Sequence, residues 1–201
     1  MKNRALILVD LQNDFMPGGS LAVADGDSTV AVANGLMANY DLVVATQDWH
    51  PSNHGSFAAN HPGLNPGEVI ELGGLTQVLW PVHCVQGTPG ASFHSGLDVG
   101  GIHAVVRKGE DPGVDSYSGF FDNGGERSTG LSALLRERGI TAVDVMGLAT
   151  DYCVRFTALD AKREGFQVRL LRSGCRGVEL SPGDIDAALA EMSAAGVVLV
   201  D

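Results

Sequence analysis

Several residues of this 201-residue chain stand where side-chain chemistry is favoured. Cys153 lies in GLATDYCVRFTALDAKREG (147–165), beyond an apolar run and in the first turn of a helical pattern. The unpaired N–H groups of a helix start make a positive field that favours a thiolate. They can also receive an oxyanion, so one turn could supply both nucleophile and oxyanion hole. The alternative is a small buried hydrophobe, the usual fate of a free cysteine. Asp10 closes another apolar run, where partial burial would raise its pKa and suit it to proton transfer. Its alternative is a turn or capping residue before Asn13 and Asp14. Lys108 closes a third run, after Arg107. Near a thiolate or carboxylate its ammonium would favour their charged forms, and otherwise it is a solvated lysine.

Asp48-Trp49-His50 places two metal-ligating side chains at i and i+2, which point the same way in extended backbone. A third ligand must come from elsewhere, and His54, His61, His83 and His94 are available. His83 is the first choice, because it lies in Trp-Pro-Val-His-Cys beside an aromatic and a proline. Three protein ligands with open positions suit a metal that meets substrate. Cys84 is either a fourth ligand or a buried thiol. Aromatic residues are only 6% of the chain, so their placement near these positions matters. Phe15 follows Asp10, Trp49 and Trp80 flank the metal candidates, Tyr117 and Phe120 follow Lys108, and Tyr152 precedes the cysteine. A small aromatic substrate is consistent with that distribution, although most aromatics are core.

The elements that must position these groups form an α/β pattern. Short Val-, Leu- and Ile-rich runs read as buried parallel strands. They are Ala5 to Val9, Leu42 to Thr46, Ile102 to Val106, Ala142 to Gly147, Gln167 to Leu171 and Val197 to Val200. Helical segments intervene: Ser28 to Asn39, Leu131 to Arg138 with Gly139 as C-cap, Asp151 to Glu164 closed by Gly165, and one opened by Ser181-Pro182 that ends near Gly196. In the Cys153 helix Thr150 or Asp151 would cap, with Val154, Ala158 and Ala161 buried. Such alternation implies a parallel sheet with helices on both faces, and ligands gather outside the carboxyl ends of its strands. Asp10, Asp48, His50, Lys108 and Cys153 all fall there. Between Ser52 and Gly101 the rhythm breaks. Five of eight prolines and five of six histidines lie between His50 and His94, and an irregular insertion of that length is usually functional. The acidic, Gly-rich Gly109 to Gly130 reads as a second long loop.

The whole chain reads as one domain, 1–201, with a metal- and substrate-binding insertion around 48–101. Its net charge of -11 argues against nucleic acid or an anionic membrane as partner. The apolar run after the first residues is too short for a signal segment, and none is long enough to span a bilayer. Three scattered cysteines fit reduced thiols in a cytoplasm.

VDLQNDF (9–15), TQDWHPSNHGSF (46–57), WPVHCVQGTPGASFH (80–94), RKGEDPGVDSYSGF (107–120) and GLATDYCVRFTALDA (147–161) closely resemble nicotinamidases, metal-dependent members of the isochorismatase-like cysteine hydrolase superfamily. The similarity covers nearly the whole chain in the family's order. It implies a three-layer α/β/α fold with six parallel strands in the order 3-2-1-4-5-6. Asp10, Lys108 and Cys153 match the family's catalytic triad. Asp48, His50 and His83 match its metal ligands, usually zinc, with iron and manganese also occurring. His54 matches a histidine that ligates in some members and not in others. Leu148-Ala149 matches a cis peptide, and the N–H groups of Ala149 and Cys153 match the oxyanion hole. Phe15, Trp80, Tyr117, Leu148 and Tyr152 match substrate-pocket positions. The implied reaction converts nicotinamide to nicotinate and ammonia through a thioester, and pyrazinamide to pyrazinoate, in NAD salvage. An amidase for carbamoyl or ureido compounds is the nearest rival. A nucleotide-binding module is disfavoured, because DLQNDFMPGG replaces a phosphate-binding glycine loop. The sequence leaves an oligomer open. One tension remains: Lys108 would start two strands from Asp10, roughly 10 Å away at ~4.8 Å per strand.

Overall fold

The computed structural model describes residues 3–201; Met1 and Lys2, part of the N-terminal run considered above, lie outside the described residues. Eight strands form in chain order: β1 (Arg4–Val9), β2 (Val43–Asp48), β3 (Val69–Leu72), β4 (Leu75–Val78), β5 (Ala104–Lys108), β6 (Ala142–Leu148), β7 (Gln167–Arg176) and β8 (Val198–Val200). The main sheet is parallel and ordered β5-β2-β1-β6-β7-β8. Counting only those six strands, this is the order 3-2-1-4-5-6 expected from the sequence.

The helices are α1 (Ser28–Met37), α2 (Leu131–Glu137), α3 (Arg155–Arg163) and α4 (Asp184–Ala194). The chain moves outward from β1 through α1 to β2, then in the opposite direction from β6 through α3 to β7. Right-handed crossovers therefore put α1 and α3 on opposite faces. Strands β1, β2 and β6 are covered on both sides, which is why they read as unbroken apolar runs: Ala5 to Val9 are 0% exposed. A buried charge interrupts β6: Asp144 is 0% exposed near the amino ends of the strands. Arg4, Arg169 and the Tyr40 hydroxyl all bind its carboxylate. The reversal of strand order falls between β1 and β6, and Asp10 leaves β1 there while Ala149 leaves β6.

The structure differs from the sequence reading in strand limits, with β7 running on to Arg176 and β5 starting at Ala104, and in four places with a clear local cause or consequence. The 52–101 region is not wholly irregular, because Val69–Leu72 and Leu75–Val78 pair as an antiparallel hairpin about Gly73-Gly74. Its alternation is masked by one largely exposed face, with Val69 59% exposed. Second, β2 and β5 run on to Asp48 and Lys108, so these polar residues are the last rungs of the ladder. Third, α4 begins at Asp184, because Gly183 takes a left-handed φ of 96° and the Asp184 carboxylate accepts the Ser181 N–H. Fourth, Cys153 occupies a π-helical turn, Thr150–Val154, leading into α3. Neither Thr150 nor Asp151 caps it. Asp151 instead accepts the N–H groups of Val178 and Glu179.

Gly147, at φ 128°, lies where β6 runs beside β1, and a Cβ there would overlap the Val9 backbone. Gly147→Ala should therefore destabilise the fold by about 1–3 kcal/mol or more, read as a lowered denaturant midpoint.

Candidate active site and metal centre

Four side chains from four strand ends meet at the carboxyl edge of the sheet. Lys108, fully buried, points its Nζ to 2.9 Å from Asp10 Oδ2 and donates to Asp48 Oδ1 at 2.5 Å and to the Ser116 carbonyl at 3.0 Å. Cys153 Sγ lies 3.4 Å from the same nitrogen, and Asp10, Asp48 and Cys153 each offer an atom within 4.8 Å of the others. The roughly 10 Å gap expected from strand spacing ~4.8 Å apart is closed by the lysine itself. It is paired with Asp48 in register and reaches across β2 to β1. Asp10 adopts a left-handed φ of 51°, which turns it off the end of β1. Thr46 holds it there: its Oγ donates to Asp10 Oδ1 at 2.6 Å and accepts the Asp10 N–H at 3.2 Å. Asp10 Oδ2 faces the Lys108 ammonium, and an Asp10 oxygen lies within 4.8 Å of the Cys153 sulfur, within reach of its proton.

The two carboxylates beside Lys108 are driven apart in acidity. Burial raises Asp10 most, the ammonium draws it partly back, and Asp48 raises it again, leaving it at about 6. Burial works on Asp48 too, but the Lys108 ammonium and then His50 hold it well below the usual carboxylate range. Asp48 is thus the permanent anion and Asp10 the group that can load and release a proton. Burial pushes the Cys153 thiol well up, only partly countered by Lys108, so the resting sulfur is a thiol and needs a base. Burial disfavours the Lys108 charge, but Asp10 and Asp48 outweigh it and keep the amine protonated.

Beyond Asp48 lies a second group. Asp48, His50 and His83 each present a ligand atom within 4.8 Å of the others. The Nε2 atoms of His50 and His83 are 3.6 and 4.0 Å from Asp48 Oδ2, close to the roughly 3.3–3.6 Å that separates two ligands at about 2.0–2.2 Å from one tetrahedral zinc. The Nδ1 atoms of His50 and His83 meet the carbonyls of Gly109 and Pro81, each at 2.8 Å. This sets both tautomers with the Nε2 lone pair free, the usual arrangement of metal-binding histidines. Burial and neighbouring His50 lower His83 to about 4, so it is neutral. His50 goes the other way: burial lowers it, but the Asp48 carboxylate more than offsets this. The site thus favours positive charge between Asp48 and His50. These residues fit a divalent metal ion.

The remaining candidates separate. His54 stacks on His50 at 4.3 Å, but its Nδ1 is engaged by Ser56 and its buried Nε2 makes no hydrogen bond. It groups with His50 and Asp115 rather than with Asp48 and His83. His61 is tied to the Gly55 carbonyl and His94 to the Gly96 N–H. Cys84 is a buried thiol, raised by burial, whose N–H donates to Asp14. Phe15, Trp80, Tyr117 and Tyr152 line a cleft over Cys153, Asp48, His50 and His83, together with Ala149. The Leu148–Ala149 peptide is cis. Leu148 itself is fully buried, Phe120 packs on Phe166, and Trp49 stacks under Arg107, so these three are not among the lining residues.

Leu21, Asp115 and Val178 complete the wall and were not singled out for it from the sequence. Nor were Thr46, hidden in an apolar strand, or Gln77 of β4, which donates to Asp115 and to the Tyr117 hydroxyl. Thr46 had one usable signal: it lies two residues before Asp48, hence on the same strand face.

Lys108→Met would strand two buried carboxylates, a loss of about 3–5 kcal/mol for a broken buried pair. Removing the ammonium, which lowers both carboxyl groups, shifts both upward, so relative to wild type the variant keeps its stability in acid and loses it as pH rises. Denaturation of metal-free protein should show a deficit against wild type that is small near pH 4 and grows towards neutrality.

The Isochorismatase domain pattern matches residues 4–201. The nicotinamidase of Escherichia coli K12 is 54% identical over 203 residues, covering 99% of this chain and 95% of that protein. Among solved structures, an Acinetobacter baumanii nicotinamidase and pyrazinamidase superposes with a TM-score of 0.97 at 48% identity, over 100% of this chain and 97% of that one. The pyrazinamidase of Pyrococcus horikoshii in complex with zinc superposes with a TM-score of 0.81 at 40% identity, over 99% of each chain. Sequence, sheet order and the cluster at the strand ends agree, and the chain belongs to the isochorismatase family.

Proposed function

We propose that this chain is a metal-dependent cysteine amidohydrolase that converts nicotinamide to nicotinate and ammonia, and pyrazinamide to pyrazinoate, within NAD salvage. The observation that carries the reading is the Lys108 ammonium, which gathers Asp10, Asp48 and Cys153 at the floor of an aromatic-walled cleft. The E. coli, Acinetobacter and Pyrococcus relatives named above support it. The whole chain, 1–201, acts as one domain, with the 48–101 segment supplying metal ligands and cleft wall.

In the proposed cycle Asp10 Oδ2 takes the Cys153 proton, and Lys108 steadies the thiolate as it forms. The sulfur attacks the carboxamide carbon, and the N–H groups of Ala149 and Cys153 hold the oxyanion. Asp10 returns the proton to the departing nitrogen, so that ammonia leaves and a thioester remains. Asp10, ionised again, draws a proton from water, whose oxygen cleaves the thioester and frees the carboxylate and the thiol. Phe15, Trp80, Tyr117 and Tyr152 confine the ring, and holding it against the sulfur converts binding into rate. Asp48, His50 and His83 would hold one divalent ion, zinc by analogy with the Pyrococcus relative, or iron or manganese. When bound it supplies a Lewis-acid seat for a ring nitrogen. His54 would stand beside this set rather than in it. Three free cysteines suit a reducing cytoplasm, and among the described residues no helix is long and apolar enough to cross a membrane.

Purified protein should release ammonia from nicotinamide, and Cys153→Ala should abolish this while metal content stays unchanged. Ammonia release by that variant would remove the sulfur from its role. Because Asp10 must be ionised to act as base, kcat/KM should fall about tenfold per pH unit below an acid limb near 6. Chelation should suppress turnover, and added zinc, iron or manganese should restore it.

A further inference from the structure

We infer that Gln12 is the residue that positions Asp48, by standing in for a length of β1 that the fold lacks. The inference rests on the metal reading above. The β1–β2 ladder pairs Leu6 with Val43 through Leu8 with Ala45, whereas β2 pairs with β5 as far as Asp48 with Lys108. The chain leaves β1 at Asp10, whose left-handed backbone carries it out of the sheet. The last rungs of β2 therefore outrun their neighbour. The Trp49 N–H turns to β5 and donates to the Lys108 carbonyl at 2.9 Å. The Asp48 N–H and C=O face the side where β1 has ended.

The Gln12 side chain fills that gap. Its Oε1 accepts the Asp48 N–H at 2.8 Å, and its Nε2 donates to the Asp48 carbonyl at 2.8 Å. A second Nε2 hydrogen goes to the Ala91 carbonyl at 2.9 Å. One primary amide thus does the work of a peptide unit on the neighbouring strand. Gln12 is fully buried, and its backbone is held by a bridge to Phe93 and by its N–H on the Asp10 carbonyl at 2.8 Å. Asp48 divides its carboxylate between Lys108 and the two histidines, so rotation of its backbone would disturb both ends.

The chemistry of the clamp admits few substitutes. A carboxylate at this position keeps acceptors but has no N–H for the Asp48 or Ala91 carbonyls. A thioether of similar length has neither strong donor nor strong acceptor and leaves buried backbone groups unpaired. Gln47 supplies the control. It lies next in the chain to Asp48 and also donates to the Ala91 carbonyl, at 2.9 Å, but its side chain is bonded to Arg107 rather than to Asp48.

The experiment measures zinc affinity by competition with a chromophoric chelator for wild type, Gln12→Met, Gln12→Glu and Gln47→Met, with melting of each zinc-free protein alongside. Both Gln12 variants should bind zinc about 10–100-fold more weakly, the usual scale for losing a residue that orients a ligand. Gln47→Met should bind as wild type does, even where its zinc-free melting temperature falls as far as that of Gln12→Met. Wild-type affinity in Gln12→Met, or equal weakening in Gln47→Met, would overturn the inference. So would failure of both Gln12 variants to fold when Gln47→Met folds, since that assigns Gln12 to the scaffold alone. If the wild type itself binds no zinc, the metal reading falls and takes the inference with it. A zinc-binding wild type beside an unaffected Gln12→Met removes only the inference.

Discussion

One buried ammonium organises this site. Lys108 sits among two carboxylates, a carbonyl and a sulfur with no exposed surface on its side chain. Burying a charge is costly unless it is paired and hydrogen-bonded. Two anions beside one cation leave the triplet with an excess negative charge, and the protein settles that excess unequally. Asp48 keeps its charge because Lys108 and then His50 stand beside it, whereas burial and the neighbouring Asp48 carboxylate outweigh the lysine at Asp10, which becomes the group of variable protonation. The division of labour between two chemically identical side chains is a consequence of their neighbours.

The same arrangement joins two centres through one residue. Asp48 offers Oδ1 to the lysine and Oδ2 to the histidines, so metal group and sulfur are separated by a single carboxylate. The backbone under it belongs to β2, which is buried along its whole length. Placing reactive groups on strand ends rather than on free loops holds their spacing without a bound ligand.

Much of this was legible in the sequence because it obeys local rules. Unbroken apolar runs mark the strands, and polar residues shortly beyond them, Asp10, Asp48, Lys108 and Cys153, mark the carboxyl edge. The choice of His83 over His61 and His94 rests instead on its Trp-Pro-Val-His-Cys setting and on family resemblance, since spacing alone does not tell a histidine engaged only by local backbone from one that turns its Nε2 to Asp48. What stayed hidden depends on distant partners. Lys108 could not be placed because strand spacing ignores the reach of a long side chain lying across its neighbour. Gln12 and Thr46 look like an ordinary amide and hydroxyl until the strands that they bridge are known. Asp151 has the composition of a helix cap, but its carboxylate was claimed by Val178 and Glu179, twenty-seven and twenty-eight residues downstream. The β3–β4 hairpin escaped because only part of one face is covered, so its alternation carries little apolar contrast.

That hairpin touches the cleft through Gln77 alone among the contacts described above, bracing Asp115 and the Tyr117 hydroxyl from outside the main sheet. The reactive groups belong to the parallel sheet, while this stretch of wall leans on a separate two-stranded flap. Selection can therefore remodel the shape that the cleft accepts by altering the flap, and leave the proton-handling machinery as it is.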